Sequence, residues 1–179
     1  MNSLVIDMTH GGVKIAVSLA KKDETVYAYD IYNTLKSVDK KMLAVYNVKI
    51  IDLDYLKNLN GNLRVIYPVH LPLTKRDIEK YNPSLNYTFL THHEIIKELL
   101  KNWGNDIPKI EVTGVKGKTS CVFMLKEILI DKNPLILSSL GALLYENGVK
   151  KTLKQNISIT PANIKETIDL AYKIANHVD

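Results

Sequence analysis

The chain has 179 residues, 46% of them hydrophobic, with 24 Lys plus Arg against 19 Asp plus Glu and a formal net charge of +5; this excludes a disordered or collagen-like chain and allows one domain or two small ones. No apolar run reaches the roughly 18 residues that cross a bilayer, and Met1-Asn2-Ser3 lacks the basic start and apolar core of a secretion signal, so a cytoplasmic protein with no membrane partner is expected. The positive charge is carried almost entirely by scattered Lys, with only Arg64 and Arg76 as Arg, whereas nucleic-acid recognition favours clustered Arg beside stacking aromatics; no nucleic-acid partner is expected.

Leu4-Val5-Ile6-Asp7 is a short apolar run ending in an acid. Met8-Thr9-His10-Gly11-Gly12 follows, and then Val13, Ala16, Val17, Leu19 and Ala20 recur at helical spacing, which predicts strand, glycine turn and helix. Val26–Ile31 is the next strand, completing the βαβ opening of a Rossmann-like layer. Val48–Ile51 and Leu63–Val69 read as further strands, Leu53–Leu59 as a short helix, and Asn60-Gly61 as a turn. His10 with Gly11 and Gly12 has two readings, a turn that simply starts a helix or a helix N-terminus that faces a carboxylate or phosphate; the first is preferred, since a glycine pair alone is a weak motif.

Proline-bearing polar sequence at Pro72 and at Tyr81-Asn82-Pro83-Ser84 places the end of the first domain, giving residues 1–88 as a Rossmann-like α/β domain and 89–179 as a second. Thr91-His92-His93-Glu94 is a capping box. The helix it opens is predicted to bury Ile95, Ile96, Leu99, Leu100 and Trp103 and to stop at Gly104. Adjacent His92 and His93 point roughly 100° apart on a helix and do not make a metal site. No compact His/Cys/Asp/Glu cluster is visible in the sequence.

Ile107–Val112 is predicted to be a strand, Thr113-Gly114-Val115-Lys116-Gly117-Lys118-Thr119-Ser120 a glycine-lysine loop, and Cys121–Ile130 an apolar helix, which is the context of a phosphate-binding loop. Gly114 and Gly117 permit backbone angles that a Cβ disfavours, and the helix N-terminus offers unpaired N–H groups to phosphate. In this reading Val115, Lys116 and Ser120 complete the ATP-binding loop, Lys118 reaches the β- and γ-phosphates as the catalytic cation, and the Thr119 hydroxyl binds magnesium. The longer G-x-x-x-x-G-K-[ST] pattern is not met, because Val112 occupies the place of its first glycine. Cys121, the single cysteine, cannot form an internal disulfide and is expected to be a buried small hydrophobe, since no histidine lies near it in sequence. Pro134–Leu137 is predicted to be a second parallel strand, with Ser138-Ser139-Leu140-Gly141 at its carboxyl edge. Thr160-Pro161 opens a final helix as N-cap and first residue, with Ile164, Ile168, Ala171 and Ala175 as the buried stripe.

The loop Val112–Ser120, followed about forty residues later by Ile159-Thr160-Pro161 at a helix start, resembles the Mur ligases, which place a small α/β substrate domain before a central ATPase domain with a G-x-x-G-K-[ST] loop. The opening Leu4–Gly12, with Asp30-Ile31-Tyr32-Asn33-Thr34-Leu35, is similar to an archaeal Mur-like branch that acts on a nickel tetrapyrrole in methanogens. The resemblance implies an α/β chain in which a Rossmann-like domain precedes the first part of a P-loop ATPase domain. It also implies ATP and magnesium as cofactors and activation of a substrate carboxylate as an acyl phosphate. Thr160 carries over as part of the substrate region, with His10, Gly11 and Gly12 as further substrate-side candidates. Val115 and Lys116 stand where peptide-forming members commonly carry a small hydroxyl residue and Asn, which points away from a cell-wall peptide product. The family's later acidic magnesium ligand, nucleotide-base contacts and C-terminal domain have no counterpart in these residues, so the resemblance covers the front part of such an enzyme, and a fragment, a truncated product and a subunit completed by a partner chain are all open readings.

Overall fold

Leu4, Val5 and Ile6 have no exposed surface at all, the signature of a strand covered on both faces, as in the centre of a parallel sheet. They belong to β1 (Asn2–Ile6), which pairs in parallel with β2 (Thr25–Tyr29) on one side and β4 (Asn62–Tyr67) on the other. β3 (Lys49–Ile50) and β5 (Asn86–Thr91) complete a five-stranded sheet in the order 3-2-1-4-5, every pair parallel. This is the doubly wound α/β arrangement expected for the Rossmann-like part. The computed structural model describes residues 1–100 and 108–175, and the chain forms two compact units, one running from Met1 to Leu100 and the other beyond it.

In the first unit, α1 (Val13–Ala20) packs on β2 and touches both α2 (Ser37–Val45) and α4 (His92–Leu99). On the other face, Leu53 and Leu56 from a 3-10 turn over Leu53–Asn58 and Ile78 from α3 (Lys75–Glu79) join Leu4, Ile6, Leu63 and Val65 in one buried cluster. Alternate residues of β1 therefore serve opposite faces, the period-2 pattern of a strand. The capping box that starts α4 is formed: the Thr91 hydroxyl accepts from the Glu94 amide at 3.2 Å and the Glu94 carboxylate accepts from the Thr91 amide at 2.6 Å. Its buried residues Ile95 and Ile96 pack within the first unit. The expected boundary after residue 88 is thus displaced: α4 covers β4 and β5 instead of opening a second unit at residue 89. The expected contributions of Trp103 and Gly104 lie outside the described residues.

The second unit contains α5 (Lys118–Ile128), an antiparallel sheet of β6 (Leu135–Ser138), β7 (Gly141–Glu146) and β8 (Val149–Gln155), and α6 (Pro161–Ile174). Two expectations fail here. Pro108–Val112 forms no strand, and β6 pairs antiparallel with β7, so Ser138–Gly141 is a hairpin connection and not the carboxyl edge of a parallel sheet. The reason lies in the next turn: Asn147 and Gly148 both take positive φ, 51° and 77°, the pair of left-handed residues that a two-residue hairpin requires. β7 and β8 close locally, and β7 then offers its other edge to β6. Leu144 and Ala171 form the buried contact between this sheet and α6.

Candidate functional site

In an open parallel sheet, ligands bind beyond the carboxyl ends of the strands, where neighbouring connections leave in opposite directions. In the first unit that point lies between β1 and β4. Beyond β1, Asp7 is fully buried and held at φ 69°, a backbone angle uncommon for a residue with a side chain. Its Oδ1 accepts from the Thr9 amide at 2.8 Å and the His10 amide at 3.4 Å, and its Oδ2 meets His10 Nδ1 at 2.6 Å. The turn depends on both glycines for different reasons. Gly11 has φ 99°, whereas a Cβ on Gly12 would stand 2.1 Å from the Asp7 carbonyl oxygen, so Gly12 is required by close approach.

His10 is half exposed and its ring meets that of His70, beyond β4, edge to face at 4.8 Å, with Tyr32 on a further side at 6.3 Å. The segment after β2 is tied to the same edge: the Thr9 and Thr34 hydroxyls are 2.5 Å apart, and Asp30 accepts from the Thr34 hydroxyl at 3.3 Å and the Leu35 amide at 2.7 Å. A surface depression lined by Asp30, Asn33 and Asp52 lies beside it, beyond β2 and β3. Underneath, His92 is buried and its Nε2–H donates to the Ile6 carbonyl at 3.2 Å. Burial holds its imidazole neutral, pushing its pKa down to about 4 against the smaller opposing effects of that hydrogen bond and of Asp7.

Sequence reading singled out His10, Gly11 and Gly12 but missed Asp7 and His70. The available signal was topological: each follows the end of a strand, and those two strands are neighbours.

The glycine-lysine loop belongs to the second unit. Gly114 and Gly117 take φ 141° and 77°, and α5 begins at Lys118, with Gly117 as its N-cap. The first bond of the helix runs from the Cys121 amide to the Gly117 carbonyl at 2.9 Å, so the amides of Lys118, Thr119 and Ser120 have no acceptor within the helix. No side chain caps this end and no acid lies in its first turn. These features suit an anion, and a nucleotide phosphate fits them. Lys118 Nζ donates to the Gly114 carbonyl across the loop. Val115, Lys116 and Ser120 are exposed and Thr119 is half-buried.

Cys121 is exposed, contrary to expectation: α5 buries none of its residues completely. Thr160 caps α6, its hydroxyl accepting from the Asn163 amide at 3.3 Å. Among the described residues no helix is long and apolar enough to cross a membrane.

No protein-family model matches the chain. Two curated proteins do resemble it. One, from Methanosarcina acetivorans, is named coenzyme F(430) synthetase and is 31% identical over 174 residues, covering 89% of this chain. The other, from Methanocaldococcus jannaschii, bears the same name and is 28% identical over 137 residues, covering 72% of this chain. The chain spans about a third of the length of these relatives, 34% and 31% respectively.

Proposed function

We propose that this chain is the N-terminal portion of an ATP-dependent, Mur-like ligase that acts as a coenzyme F(430) synthetase. In this reading the enzyme activates a propionate of a nickel tetrapyrrole as an acyl phosphate and closes the last carbocyclic ring. The observation that carries the proposal is the likeness to two proteins of that name over most of the chain. The Gly114–Ser120 loop, which opens a helix with an uncapped N-terminus, supports the ATP-dependent part of this reading. ATP supplies the phosphoryl group that makes the carboxylate reactive.

The chain's own residues then have defined tasks. Gly114, Val115, Lys116 and Gly117 wrap the phosphates with backbone amides, and Lys118, Thr119 and Ser120 present the open N-terminus of α5. Lys118 exchanges the Gly114 carbonyl for phosphate oxygens and neutralises charge that grows during transfer. The Thr119 hydroxyl is the candidate magnesium ligand. In the first unit, His10, Gly11 and Gly12 stand on the substrate side, and Thr160 is a further candidate beyond its capping bond.

ATP binding to the chain, measured by calorimetry, is expected to weaken more than about tenfold in Lys118→Ala, a loss of about 1.4 kcal/mol or more. Unchanged affinity would remove the loop from the site. With the intact enzyme, ATP-dependent ring closure of the nickel tetrapyrrole acid is expected, and peptide-bond formation with amino-acid acceptors would replace this reading by a peptide ligase.

A second reading, a nucleotide-binding module completed by a partner chain, is favoured by one feature. Met124 and Ile128 of α5 are 67% and 75% exposed, and Pro108–Val112 contributes no strand to cover them. Under it, the chain alone binds ATP without turnover.

A further inference from the structure

Three side chains that commonly ligate metals converge at the carboxyl edge of the parallel sheet. We propose that Asp7, His10 and His70 form a binding site for a divalent first-row transition-metal ion, with Zn²⁺ as the ion whose preferences they meet.

One ligand atom from each of the three residues lies within 4.8 Å of the others. Ligands about 2.0–2.2 Å from a shared tetrahedral zinc stand about 3.3–3.6 Å apart, so the widest pair must close by up to about 1.3 Å while His10 swings somewhat away from Asp7, which its ring nitrogen now meets at 2.6 Å. The two residues able to make these shifts are the exposed ones: His10 and His70 lie at the surface, while Asp7 is buried. The rings cross at 87°. One carboxylate and two imidazoles are a donor set typical of zinc sites that keep a position open, and both histidines face solvent where a fourth ligand enters.

The supporting structure is already in place. Asp7 is aimed by the Thr9 and His10 amides, and these bonds to Oδ1 leave Oδ2 for the ion. His10 now points the same nitrogen at that oxygen; moving its ring proton to Nε2 frees Nδ1 with no net change of charge. Gly11 and Gly12 fix the distance from Asp7 to His10, and the parallel pairing of β1 with β4 fixes the approach of His70. His92 is not a ligand, because its Nε2 is committed to the Ile6 carbonyl. The site uses no residue of the Gly114–Ser120 loop, so it stands or falls independently of ATP binding.

The test is calorimetric titration of Zn²⁺ into the tag-free chain, carried out in a Cys121→Ser background because that thiol is exposed and competes for zinc. Co²⁺ absorption spectra serve as a second readout of nitrogen and oxygen coordination. One ion per chain is expected, with affinity reduced at least tenfold in His70→Ala and in His10→Ala while the circular dichroism spectrum stays unchanged. Absence of saturable uptake, or uptake equally strong in both histidine variants, would overturn the site. Loss in His10→Ala with full affinity in His70→Ala would also overturn it, leaving an Asp7–His10 pair in its place.

Discussion

His92 shows how one residue's surroundings set a property of the whole fold. Its imidazole is buried against β1 with its pKa held down to about 4, while in the unfolded chain it titrates near its ordinary value of 6.5. Between those values the unfolded state binds the extra proton, so stability rises with pH across this window and is lost as pH falls from about 6.5 towards 4. Integrated over the window the loss is about 3 kcal/mol. Urea unfolding at pH 7 and pH 4.5 is expected to show it, and His92→Gln, whose amide can still donate to Ile6, is expected to flatten the difference. An unchanged pH slope in that variant would assign the effect elsewhere. His92 was legible as part of a capped helix, but its burial was not, because nothing local distinguishes it from exposed His93. Asp7 is a parallel case: its sequence context announces the end of a strand, while its role in gathering His10 depends on the close approach of Gly12.

At the scale of elements, the amino ends of the strands are held by a polar cluster. Arg64 on β4 is 8% exposed and donates to Ser3 Oγ at 3.2 Å, to Glu24 at 2.5 Å and to Glu98 of α4 at 3.2 Å. Removing the guanidinium strands a largely buried carboxylate, and losses of this kind run to about 3–5 kcal/mol. Arg64→Ala is expected to lower stability by about that much in denaturant titration, and Arg64→Lys to recover only part of it, since an ammonium cannot form the same fork of bonds. A loss under about 1 kcal/mol would mean that water replaces the network. Local chemistry made some elements readable: Thr91 and Glu94 announced α4, and Thr160-Pro161 announced α6. Asn147-Gly148 carried an equally local hairpin signal, and reading it would have revealed β7 and β8. By contrast, the phosphate-loop pattern led to a parallel strand at Pro134–Leu137 because a motif specifies the loop and not the partner of the strand that follows.

Across the whole molecule, the two units differ in how fully they cover their own apolar residues. The first has a core on both faces of its sheet, which is why short apolar runs sufficed to read β1 to β4, whereas α2, α3 and β5, with fewer buried residues, went unread. In the second, α5 leaves Met124 and Ile128 open, and there the periodicity gave a helix but not its burial. Residues 1–100 expressed alone are therefore expected to fold with a cooperative urea transition and dispersed amide resonances. A molten spectrum would mean that their core relies on residues beyond Leu100. The glycine-lysine loop was legible as a turn that opens a helix because φ-permissive residues and a helix start are local properties. The grouping of Asp7 with His70 was not, because it depends on strand order.

Strand order also has a consequence in time. β1 is made first, yet one of its two neighbours is β4, about sixty residues later in the chain. At synthesis rates of roughly 5–20 residues per second, Leu4, Val5 and Ile6 wait roughly 3–12 seconds for the strand that completes their cover. During that interval the strand destined for the centre of the sheet is still an edge, and the nascent chain carries its greatest risk of wrong association at the segment that ends best protected.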